Sequence, residues 1–99
     1  MIKVEVTKKD ISIRGHAMYD DYGKDIVCAA VSSIVTTSVE GIASINEDAI
    51  DVKEEKDKLT IIINSHDEVT TKLIKTMINL LKELQKKYPE NIKITNKEE

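Results

Sequence analysis

Ile2, Val4 and Val6 alternate with polar neighbours, and after Thr7, Lys8, Lys9 and Asp10 the alternation resumes at Ile11 and Ile13. A period of two places every second side chain on one face of an extended chain, so these stretches bury their apolar groups only as strands of a sheet. The pattern returns at Ile50 and Val52, then at Leu59, Ile61 and Ile63, on either side of the charged turn KEEKDK. A short last strand, NIKIT, follows Pro89. Two hairpins and a closing strand commit this chain to a sheet with one apolar face.

What covers that face is written at another period. Val27, Val31, Ile34, Ile42 and Ile45 fall on one side of a helix running from about residue 25 to residue 45, with Ser33, Thr36 and Glu40 opposite. A second helix is announced by Ser65 and Glu68, which read as an S-x-x-E capping box. Val69, Leu73, Met77, Leu80, Leu81 and Leu84 follow as its apolar stripe. Lys82, Lys86 and Lys87 sit near its end, where cations suit the helix dipole. The order is β-β-α-β-β-α-β, an α+β fold with two helices packed on a largely antiparallel sheet. Residues 1–99 read as one domain, long enough for one modest core.

Charge and cysteine content narrow the function. A net charge of −3 and an acidic pI of about 5.4 disfavour direct nucleic-acid binding and favour a basic partner. One cysteine forms no internal disulfide. The opening MIKVEVTKK lacks the continuous apolar stretch of a signal peptide. The apolar run over residues 26–35, interrupted by Ser32 and Ser33, reads as too short to span a membrane. The expectation is a cytoplasmic protein that needs no metal or other cofactor.

The chemistry concentrates in RGHAMYDDYGKDIVCAAVSSI, which holds the sole cysteine, Cys28, and one of the two histidines, His16, twelve positions earlier (28 − 16 = 12). Cys28 falls in the first turn of helix one, where free N–H groups and the positive dipole end favour a thiolate. It lies on the shoulder of the apolar stripe rather than in its middle. His16 ends strand two, and Gly15 before it allows the pairing to break there. The loop over residues 17–24, with Gly23 as its hinge and little apolar content, is expected to be mobile and to bring the imidazole back to the thiol. A nucleophile paired with a base is the minimum for acyl transfer. Asp25 either caps the helix or orients His16. Ser32, one turn after Cys28, lines either a substrate groove or a helix–helix contact. Asp20 and Asp21 either steer a basic partner or simply form turns. The plainer reading is a packed thiol and a surface imidazole. No ligand pair has zinc-finger spacing, and His66 reads as a surface residue.

GHA followed by a short loop and G-x-DIVCAAVS resembles the bacterial ribosomal-processing cysteine protease family, Prp. The likeness extends along nearly the whole chain through the order of strands and helices. It implies a cysteine endopeptidase that removes a short N-terminal extension from a large-subunit ribosomal protein, number twenty-seven. It also implies Cys28 as nucleophile, His16 as general base, a mobile loop over the site and a homodimer. SVEG carries Glu40 where some relatives have Asn, a departure that bears on a dimer contact or a substrate groove. The rivals are a non-catalytic, ribosome-associated binding module and a thiol redox sensor using Cys28 alone. A sensor has no use for a base at His16.

Overall fold

The structure is a computed structural model, which describes residues 1–15 and 26–97. Its elements are β1 (Ile2–Val6), β2 (Asp10–Arg14), α1 (Ile26–Ile45), β3 (Ile50–Glu54), β4 (Lys58–Ile63), α2 (Glu68–Lys87) and β5 (Ile92–Asn96). This is the α+β order that the periodicity predicts.

Local chemistry sets the turns. Between β1 and β2, the Thr7 hydroxyl accepts from the N–H of Lys9 (3.1 Å) and of Asp10 (3.0 Å). The same hydroxyl donates to the Asp10 carboxylate (2.8 Å), so a single side chain closes the hairpin. After α1, the Asn46 side-chain carbonyl accepts from Asp48 N–H (3.0 Å), turning the chain back toward β3.

The five strands lie in the order β3-β4-β2-β1-β5. Every neighbouring pair is antiparallel except β1 and β5, which run parallel from Ile2 beside Ile92 to Val6 beside Asn96. The parallel pair is reached through α2, the kind of crossover that parallel neighbours require. Gln85 on α2 accepts the N–H of Ile94 (2.7 Å), tying the helix to this edge strand.

Both helices pack on one face. The core holds Ile2, Val4, Val6, Ile11, Ile13, Ile50, Ile61 and Ile92 from the sheet. Val27, Val31, Val35 and Ile42 come from α1, and Ile74, Met77, Ile78 and Leu81 from α2. Two details of the predicted stripes are corrected. Ile45 is 62% exposed because α1 ends there, while Val35 is buried in its place. On α2, Val69 and Leu80 are exposed, whereas Thr70, Ile74 and Ile78 are buried. That helix fills the angle between the sheet and α1, so its buried face is broader than, and rotated from, the leucine row.

The capping box is also corrected. Asp67, not Ser65, caps α2: its carboxylate accepts Thr70 N–H at 2.9 Å, and its backbone is extended at φ −70°, ψ 170°. Hydrogen bonds from the Thr70 side chain and backbone hold the Asp67 carboxyl below its ordinary value. An ionised acceptor next to the first turn outcompetes a serine hydroxyl two residues upstream, and Ser65 instead accepts from Asp67 N–H (3.3 Å).

α1 modifies one further expectation. With 20 residues and few charges, it is long and apolar enough by length and composition to cross a bilayer. Its valines and Ile42 enter the core against the sheet and α2 instead.

Candidate active site

α1 spans Ile26–Ile45, which places Cys28 in its first turn. Cys28 is half-buried and packs against the edge of the core, the shoulder position expected from its place in the sequence. His16, Gly23 and Asp25, together with the loop over residues 17–24, lie outside the described residues.

The approach to His16 is defined. β2 ends at Arg14, and Gly15 follows with φ 75°, in the left-handed region that favours glycine. Its N–H donates to the Asp57 carbonyl in the β3–β4 turn (3.2 Å). A Cβ there would stand 2.6 Å from the Met1 carbonyl oxygen, a backbone atom with little room to yield. Gly15→Ala is therefore expected to destabilise the fold by roughly 1–3 kcal/mol and to lower the cleavage rate, since the chain leaves Gly15 directly for His16. Thermal melting and kcat/KM check this. An unchanged melting temperature would show that Gly15 is not held in this conformation.

A groove of about 380 Å³ runs along α1 from the turn after Cys28. Ile13, Val31, Val35, Val39, Val52 and Leu59 supply its apolar surface. Ser32, Thr36, Glu40, Glu54, Glu55 and Lys58 supply the polar part. Ile13 lies three residues before His16 (16 − 13 = 3), and Val31 three after Cys28 (31 − 28 = 3). The chain neighbours of the thiol and of the imidazole thus meet at the same groove. Ser32 and Glu40 are exposed and line it.

Its far wall, from the β3–β4 hairpin, was not anticipated from the sequence. The one local signal is Val52, a 45% exposed apolar residue set between the charged Asp51 and Lys53. His66 is exposed, and its Nε2 lies 3.1 Å from the Lys8 carbonyl oxygen, remote from this groove.

A family model described as cysteine protease Prp matches residues 1–93. The chain belongs to the Prp family of cysteine proteases. The ribosomal processing cysteine protease Prp of Staphylococcus aureus is 29% identical over 107 residues, covering 98% of this chain and 100% of that protein. Two crystal structures of the S. aureus Prp superpose on the fold. One, in complex with a substrate peptide, has a TM-score of 0.87 at 26% identity. The other, in complex with a covalently linked product peptide, has a TM-score of 0.86 at 27% identity. Each covers 98% of this chain and 100% of its own. Prp membership makes this chain a cysteine protease.

Proposed function

We propose that this protein is a single-domain ribosomal-processing endopeptidase in which Cys28 is the nucleophile and His16 the general base. The observation that carries the assignment is that this member of a cysteine protease family has one cysteine, Cys28. The covalently linked product peptide in the S. aureus Prp crystal supports a covalent route. The substrate that fits is the N-terminal extension of the bacterial large-subunit ribosomal protein number twenty-seven, processed in the cytoplasm. A homodimer is consistent with α1, whose only charged residue is Glu40.

In this reading His16 takes the thiol proton and the Cys28 sulfur attacks the scissile carbonyl carbon. N–H groups of the first turn of α1 stabilise the oxyanion. His16 returns the proton to the leaving amine as the carbon–nitrogen bond breaks, leaving a thioester. Water, deprotonated by His16, hydrolyses the thioester and restores the thiol. Ser32 and the α1 groove take the extended peptide on one side of the thiol. Glu40, Glu54 and Glu55 on the groove favour a basic sequence, as a ribosomal protein supplies. Gly15 permits the turn that leads to His16, and Gly23 and Asp25 are assigned supporting roles, Asp25 as a cap of α1 or as the group that orients His16.

The test is incubation with a synthetic peptide spanning the extension junction, read by mass spectrometry. Cleavage at one bond, blocked by prior alkylation of Cys28, is the expected result. A peptide that binds but stays whole would replace the protease reading with that of a binding module.

A further inference from the structure

The face of the sheet away from the helices carries a pattern invisible along the chain. Lys93 on β5 stands beside Lys3 on β1, Lys3 beside Arg14 on β2, and Arg14 beside Lys58 on β4. Register partners share a face, and the neighbours of this row (Ile2, Val4, Ile13 and Ile92) point into the core. Lys93, Lys3 and Arg14 therefore lie on the open side, and Lys58 at the end of the row also reaches the rim of the α1 groove. Strands lie ~4.8 Å apart, so four cations span roughly 14 Å in a straight line. Lys3, Arg14 and Lys93 are exposed and Lys58 half-buried. Among the described residues, none of the four enters an ion pair.

Like charges directly opposite one another weaken a sheet, so this row opposes the stability of the fold. The next row along the strands is Thr95, Glu5, Ser12 and Thr60, which adds hydroxyl groups. Its Glu5 is turned to Lys97 at 3.7 Å. Glu55, just past the end of β3, closes the cationic row beyond Lys58. The protein's net charge is −3, yet four of its fifteen Lys and Arg residues stand side by side in this one row, while Glu40, Glu54 and Glu55 line the α1 groove.

We propose that this row is a docking surface for the phosphate backbone of RNA. A single strand of RNA presents a regular succession of anions on the scale of the row, and the adjacent hydroxyls donate to phosphate oxygens. The choice of RNA over other polyanions rests on the ribosomal reading above, since such a substrate is met in the company of RNA. The acidic groove and the cationic row would then separate the two, basic peptide on one side and RNA on the other.

The probe is a fluorescein-labelled single-stranded oligouridylate of about twelve nucleotides, followed by anisotropy at 50 and 200 mM potassium chloride. Four phosphate contacts give a slope of roughly −3 in log affinity against log salt. Lys3→Gln combined with Lys93→Gln should lower affinity about tenfold or more and flatten that slope by roughly 1.4. Its melting temperature should hold or rise, because like-charge repulsion is relieved. Lys3→Arg with Lys93→Arg should bind as the parent does, and Lys86→Gln with Lys87→Gln on α2 should change little. Absence of saturable binding at 50 mM salt, or equal losses from the α2 pair, would overturn the proposal. So would polyglutamate competing as strongly as RNA, which would assign the row to an acidic peptide. Cleavage of a short peptide should be unaffected in the Lys3/Lys93 variants. In the unsubstituted protein, absent RNA binding with cleavage intact sinks this inference alone, and absent cleavage with RNA binding intact sinks the protease-substrate reading alone.

Discussion

Cys28→Ala is expected to reduce peptide cleavage by at least about three orders of magnitude, equivalent to ~4 kcal/mol of transition-state stabilisation. Folding should survive. Cys28 is half-buried at the rim of the core, so replacing its sulfur with hydrogen removes little contact and should cost about 1 kcal/mol or less. The variant should also keep its affinity for the peptide, because the groove begins with Val31 and Ser32, beyond the thiol. Single-turnover cleavage, thermal melting and peptide binding separate these effects. Activity above about a hundredth of the parent would be incompatible with a covalent role, since loss of a nucleophile removes the whole pathway. His16→Ala should match that loss in rate without a matching loss in binding. If only Cys28 proved necessary, the thiol would act without its base and the dyad assignment would fall.

Ile61→Ala should be the most damaging single truncation in the sheet, at about 3–4 kcal/mol. Ile61 lies on β4 between Ile11 of β2 and Val52 of β3, and it is 0% exposed. For a domain of this size that loss is a large part of the whole stability and should lower the melting temperature by about 15 °C or more. Its neighbour Ile62 is the control. It points to the open face beside Asp10 and Asp51 and is only half-buried, so Ile62→Ala should cost about 1 kcal/mol. Equal losses at the two positions, measured by denaturant unfolding, would mean that the face assignment of β4 is wrong.

Legibility in the sequence followed the range of the interaction. The hairpins were readable because alternation at Ile2, Val4 and Val6, or at Leu59, Ile61 and Ile63, is a property of adjacent residues. The S-x-x-E pattern places the cap of α2 two residues too early. Ser65 and Glu68 matched a known cap, but Asp67 holds the stronger acceptor, and only the backbone geometry shows which one the helix uses. Ile45, Val69 and Leu80 fit a helical stripe yet remain exposed, since a wheel gives the angle of a residue but not where its neighbours end.

By itself, the sequence determined the number and order of the elements, the first-turn place of Cys28 and the family resemblance, because these depend on local periodicity and short motifs. The tertiary structure decided what depends on which strands lie side by side. β5 could have joined the sheet at either edge; it lies parallel to β1, and only that choice sets Lys93 against Lys3. The β3–β4 hairpin could have faced elsewhere; beside α1 it supplies Val52, Glu54 and Glu55 to the groove beyond Cys28. Lateral strand order is set by the burial of a shared core among residues tens of positions apart. No single stretch of the chain contains that balance.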